Sequence, residues 1–241
     1  MSLLPPHIHP TWASFLTEDV LQHIQQISEQ IQGEAVNPRE SWRTLRFLQN
    51  DLSEMKVVWL GQDVYPAAGV ATGRAFEVGG MTSWHVPFRQ VSMKNIVRLL
   101  HKNYKGIQNY EEIASFKDIQ EEMLYGDFPI LPPHQWFDSL EQQGVLFLNR
   151  YFTCRVGEAN SHRDLWATFS DQLLTYISSN HPELTWFLWG QDAISAKALL
   201  KDGTFYMSRH PMMCSSKYED DFLKFDGFEK TWKRVNWLGV L

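Results

Sequence analysis

The chain has 241 residues, 44% of them hydrophobic, and a formal net charge of −6. That length can bury one large core without a second domain, and the acidic balance excludes a broad basic sheath while leaving room for a local cluster of Lys and Arg. Two cysteines, Cys154 and Cys214, have no metal-like or paired spacing, which fits a reducing cytoplasm. No charged-then-apolar leader and no membrane-length apolar run is visible, so a soluble, cytoplasmic, monomeric chain forming one domain over residues 1–241 is expected.

In chain order, residues 1–11 hold three prolines and two histidines and read as a loose arm. Leu21, Ile24, Ile27 and Ile31 make the apolar stripe of a helix, with Thr17, Glu18 and Asp19 at its start and Gly33 at its end. Asn37-Pro38 precedes a predicted second helix carrying Trp42, Leu45, Phe47 and Leu48. Val57-Val58-Trp59-Leu60 then reads as a buried parallel strand that breaks at Gly61 into a polar turn with Gln62, Asp63 and Tyr65. A helix is expected from Ser92, as its cap, to Leu100. Residues 101–134 mix Lys with Glu and read as an enlarged, solvated connection. Further strands are expected at Val145–Asn149, Thr185–Gly190 and Thr204–Ser208. The architecture expected is α/β and three-layered, a mostly parallel four-stranded sheet between helices. In such sheets ligands bind beyond the carboxyl ends of the strands, where Asp63, Asn149 and His210 all fall.

Taken singly these residues are ordinary. An Asp after a strand is usually a turn residue or helix cap, Asn149 suits a turn, His210-Pro211 suits a loop, and Tyr65 and Phe76 suit a core. Gly69 and Gly73 lack the Gly-Lys-Ser/Thr of a phosphate loop. No metal-ligand spacing occurs, so neither metal nor cofactor is expected.

Their order and sequence context say more. Residues 61–76, GQDVYPAAGVATGRAF, resemble the first motif of the family-1 uracil-DNA glycosylases, GQDPYHGxGxAxGxAF. RYFTCRVGEANSH (150–162), the strand ending Leu188-Trp189-Gly190, HPMMCS (210–215) and Val235-Asn236-Trp237 resemble later family motifs in the same order, so the likeness runs from about residue 38 to 238. The resemblance implies a glycosylase that hydrolyses the N-glycosidic bond of uracil in DNA. It implies Asp63 and His210 as catalytic residues and Gln62, Tyr65, Phe76 and Asn149 around the base. Ser92, Ser161, His162, Met213, Cys214 and Ser215 would contact DNA. In this scheme Asp63 stabilises the sugar cation, neutral His210 donates to uracil O2, and Asn149 reads the base edge. Phe76 stacks, and Tyr65 fills the space where thymine carries its methyl. The chain departs from the family at Val64, at Pro66, in the loop before Ser92, and at Cys214, which stands where the family has a wedging leucine. A poor wedge implies preference for single-stranded uracil DNA over duplex. Two other readings stay open on these residues: a non-catalytic nucleic-acid- or protein-binding member of the fold, and a glycosylase for another damaged base.

Overall fold

A computed structural model describes residues 2–240. In chain order the elements are α1 (Glu18–Gln30), β1 (Val36–Asn37), β2 (Val57–Asp63), α2 (Val91–Lys105), α3 (Phe116–Tyr125), α4 (Pro133–Gln142), β3 (Val145–Tyr151), β4 (Cys154–Arg155), α5 (Arg163–Asn180), β5 (Thr185–Trp189), α6 (Gln191–Ser195), β6 (Thr204–Ser208) and α7 (Gly227–Thr231). The main sheet has strand order β3-β2-β5-β6, with every neighbouring pair parallel. The chain thus enters at an inner strand, crosses to one edge and returns to the other side. That reversal creates a crevice at the carboxyl ends of β2 and β5.

The alternation of side chains sorts the strands onto two faces. Val58, Leu60, Leu146, Leu148, Trp186 and Leu188 belong to one core, shared with residues of α1 and α5. Val57, Trp59, Val145, Phe147, Phe187 and Trp189 belong to the other, shared with residues of α2, α4 and α7. Register makes this consistent: Trp59 stands opposite Phe147 on one side and Phe187 on the other. Trp59 packs edge-to-face on Trp136, Phe147 and Phe228. Each such ring contributes about 2–3 kcal/mol of burial. The three-layer α/β arrangement expected from the sequence is therefore present. No helix among the described residues is long and apolar enough to cross a membrane.

Several local expectations are corrected. Residues 2–11 of the expected arm are docked: Leu3 is 1% exposed, the His9 backbone N–H donates to the Leu48 carbonyl at 2.8 Å, and a 3₁₀ turn at Pro10–Trp12 buries Trp12. Three prolines narrow the unfolded ensemble and so lower the entropy cost of that docking. The helix expected after Pro38 is instead two 3₁₀ turns, Ser41–Arg43 and Arg46–Gln49, whose tighter winding still turns Phe47 and Leu48 inward. Ser92 is not the cap of α2; Gln90 is, with no side-chain cap bond. Residues 101–134 are folded and packed, because Ile113, Ile119 and Phe128 bury against the core that holds Ile96 and Leu100. Finally, β2 runs through Gly61 to Asp63, since β3 continues to Tyr151 and supplies Asp63 with a partner. Asp63 is thus a strand residue, not the turn residue expected, and β3 runs two residues beyond the expected end at Asn149.

Candidate active site

Gly61 shows how the sheet builds the site. It pairs in register with Asn149, and a Cβ there would lie 2.6 Å from Asn149 Oδ1 and 3.0 Å from Ala75 Cβ. The missing side chain is therefore what lets the Asn149 amide cross over β2. Asn149 is 4% exposed and lines a pocket of about 300 Å³, yet its amide makes no hydrogen bond to another described residue. Its amide is not among the sealed unpaired groups, so it opens onto the pocket and is available to a ligand there.

Asp63 ends β2 on the same pocket. Its Oδ1 accepts from the Val64 N–H at 2.9 Å and its Oδ2 from the Asn160 N–H at 2.5 Å. Burial makes it a weaker acid, pushing its pKa up to about 6, and the two backbone bonds oppose that rise without cancelling it. Above that pH the site holds a desolvated carboxylate, fixed in direction and ready to face a developing cation.

His210 follows β6, behind Gly190 at the end of β5. Gly190 has φ +87°, and a Cβ there would meet His210 Cβ at 3.0 Å, so glycine meets two demands at once, left-handed backbone and close approach. Burial lowers the pKa of His210 below its ordinary value, favouring the neutral ring. The Met212 N–H donates to Nδ1 at 3.2 Å, which leaves the proton of a neutral ring on Nε2. The imidazole is thus set up as a neutral N–H donor.

Phe76 holds a left-handed backbone, φ 66°, which is uncommon outside glycine. Its ring packs edge-to-face on Trp189 and tilts toward His210, with centroids 6.2 Å apart. The Tyr65 hydroxyl donates to the Phe76 carbonyl at 3.3 Å, tying the two aromatic walls together, and burial raises the phenol above its ordinary range. Gln62 donates from Nε2 to Asn160 Oδ1 at 3.1 Å. Ser92, buried at the start of α2, also lines the pocket.

The structure thus brings Gln62, Asp63, Tyr65, Phe76, Ser92, Asn149 and His210 onto one pocket. It separates others. His162 is 1% exposed, with Nδ1 on Thr153 Oγ1 and Nε2 on Glu34, so it faces inward and not toward a ligand surface as expected. Cys214 is also turned in, against the α2-side core, its thiol donating to the Pro211 carbonyl. Met212 and Met213, 57% and 62% exposed, project in its place. Ser161 accepts the Arg155 N–H and Ser215 donates its own N–H to Asp221, so both shape loops. Two pocket residues had been passed over. Asn160 acts mainly through its backbone, which residue identity does not advertise. Arg74 is buried and paired with Glu77 at 3.2 Å, Asp138 at 2.8 Å and Glu141, a cluster whose acids lie on separate segments.

No family model matches the chain. A uracil-DNA glycosylase of Pseudoalteromonas translucida is 32% identical over 189 residues, covering 76% of this chain and 74% of that protein. The chain belongs to the uracil-DNA glycosylase family. A second relative of that name, from Francisella tularensis subsp. novicida, is 29% identical over 215 residues and is matched over 86% of both chains. Among solved structures, the mimivirus uracil-DNA glycosylase superposes with a TM-score of 0.68 at 20% identity, over 97% of this chain and 84% of that one. The wild-type UNG of Nitratifractor salsuginis superposes with a TM-score of 0.67 at 21% identity, over 86% and 85%. At those identities the structural likeness speaks for the fold. Within the family this chain is divergent: Val64, Pro66 and the Met212-Met213-Cys214 run are its departures.

Proposed function

We propose that this family member excises uracil from DNA in base excision repair, using Asp63 and His210 as its catalytic residues. The observation that carries the assignment is the convergence of three complementary groups on one pocket: the buried Asp63 carboxylate, the neutral His210 donor and the unpartnered Asn149 amide. Each suits one part of the reaction. As the bond from sugar C1′ to uracil N1 breaks, the base keeps the electron pair and C1′ becomes cationic. Asp63 faces that cation and orients the water that adds to C1′, accepting its proton. His210 donates from Nε2 to O2, where the charge of the leaving base accumulates. Donors and charges fixed before the reaction need no reorganisation during it, and one such group typically contributes 10²–10³-fold. A neutral donor also avoids a second buried cation.

Asn149 can donate to uracil O4 and accept from N3–H, whereas cytosine offers the opposite pattern at both atoms. Phe76 offers a face for stacking, and Tyr65 closes the side where thymine carries a methyl. On this reading the protein acts as a monomer and prefers single-stranded substrate, because no leucine stands at the rim to hold a duplex gap open. Incubation with an oligonucleotide containing a single uracil, followed by alkaline cleavage, should cut at that position. An intact strand after long incubation with excess enzyme would overturn the proposal.

A further inference from the structure

The loop from Arg155 to His162, between β4 and α5, has a job that its surface position hides. Asn160 within it has φ 61°, a left-handed conformation that asparagine tolerates better than most residues. That conformation aims its N–H at Asp63 Oδ2, while its side-chain Oδ1 receives Gln62. One residue therefore grips two consecutive residues at the end of β2.

The loop itself is strapped at both ends by one carboxylate. Glu34, just after α1, accepts from Arg155 Nε at 3.0 Å and Nη2 at 3.1 Å, and from His162 Nε2 at 2.9 Å. The hydrogen bonds behind His162 have a consistent direction. Trp166 Nε1–H donates to Thr153 Oγ1 at 2.7 Å, the Thr153 hydroxyl donates onward to His162 Nδ1 at 2.9 Å, and the ring proton on Nε2 goes to Glu34. Midway, the Gly157 N–H donates to the Pro66 carbonyl and the Val156 N–H to the Ala35 carbonyl, both at 2.8 Å. The loop is thus fixed to the same turn that follows Asp63.

We propose that Asn160 is a positioning residue for base excision: its left-handed backbone holds the Asp63 carboxylate in its working direction, and the Glu34 strap keeps that donor in place. This rests on the reading of Asp63 as the group that faces the sugar cation. Of the two backbone bonds to Asp63, the one from Val64 comes from the adjacent residue and follows the carboxylate wherever the turn goes. The Asn160 bond comes from a separate segment and is the one that fixes the carboxylate against the rest of the pocket. It also opposes the burial that makes Asp63 a weaker acid. The other titratable groups facing Asp63 are the Cys154 thiol, pushed up to about 12 by burial and by the Asp63 charge, and His210, Arg74 and Tyr65 around the pocket.

The test reads the Asp63 midpoint directly, by ¹³C NMR titration of its carboxyl carbon, beside single-turnover uracil release from pH 5 to 8. In Asn160→Ala the β-carbon without a compensating side chain disfavours left-handed backbone, so the N–H swings away. The midpoint should rise by roughly 0.5–1 pH unit, and the rate at pH 6 should fall several-fold with little change in KM. Asn160→Gly regains the conformation without strain and should move the midpoint less than alanine does. Glu34→Ala, which frees both loop ends, should shift it in the same direction. A midpoint unmoved in Asn160→Ala, or moved equally by glycine and alanine, overturns the proposal. Should Asn160→Ala fail to fold by circular dichroism, an unmoved midpoint in Glu34→Ala overturns it instead. If the unaltered protein releases no uracil while the NMR midpoint still shifts in the variants, the glycosylase reading fails and the positioning of Asp63 stands.

Discussion

The two sides of the pocket have diverged unequally from the family pattern. On one side stand Asp63, Asn149 and His210, held by strand ends, by glycines that permit close approach, and by backbone N–H groups at 2.5–3.2 Å. On the other is the loop 211–215, where the family leucine is a cysteine turned inward and two exposed methionines form the tip. The loop backbone is nevertheless braced: Asn95 donates to the Pro211 carbonyl at 2.7 Å, and Asp221 accepts the Ser215 N–H at 2.6 Å. The difference teaches that bond cleavage and base extrusion place separate demands on sequence. On the proposed reading, cleavage needs specific charges at fixed points, and the departures beside Asp63, Val64 and Pro66, leave those groups in place. Extrusion needs apolar bulk at a braced tip, and more than one side chain can supply bulk.

The strand-end side should show the largest effects. Asp63→Asn and His210→Leu should each lower single-turnover uracil release by on the order of 10²-fold or more, with circular dichroism unchanged. Near-normal rates in either would erase the distinction between the two sides. The rate of the unaltered protein should fall about tenfold per pH unit below about 6, because the proposed mechanism needs Asp63 ionised and its raised midpoint places protonation there. Burial lowers the His210 pKa below its ordinary value, which favours the neutral donor. A rate flat from pH 7 to 5 would remove Asp63 from the role.

Next come the residues that read the base. Asn149→Asp should shift preference from uracil toward cytosine, because it changes which edge atoms can pair. Tyr65→Ala should admit some thymine while slowing uracil release roughly tenfold through lost packing; a single methyl discriminated by contact alone is worth about 1–3 kcal/mol. Mass-spectrometric assay of released bases separates these outcomes, and a Tyr65→Ala protein that still rejects thymine would show that another group forms the wall.

The rim should show the smallest and most selective effects. Met213→Ala should slow release from duplex by a few-fold and leave single strands nearly untouched, since single strands need no pairing broken. Because Cys214 packs inward, Cys214→Leu should overpack the core and lower the melting temperature without helping duplex cleavage. A selective gain on duplex in that variant would mean that the loop everts on DNA.

Much of this was legible before the fold was known. The unbroken apolar runs Val57–Leu60 and Val145–Leu148 mark buried strands, and their polar ends mark where a ligand belongs. Other features were hidden for physical reasons. The 3₁₀ turns at 41–49 carry the same apolar residues that a helix would, so spacing alone misassigns them. The 101–134 segment looks solvated because its charges are numerous, yet Ile113, Ile119, Phe128 and Ile130 bury and seat it. His162 shares a motif with DNA-facing candidates but turns toward Glu34, more than a hundred residues earlier in the chain.

By itself the sequence determined the buried strands of the sheet, because residue type is a property of the chain read locally, and its resemblance to a family singled out the candidate acid, amide and imidazole. The tertiary structure decided the state of those groups. The acidity of Asp63 depends on which surfaces exclude water from it and on an N–H from Asn160, and the tautomer of His210 depends on an N–H from Met212. Every non-proline residue carries the same backbone N–H, so nothing in the residue letters tells where those donors will point until the chain has folded.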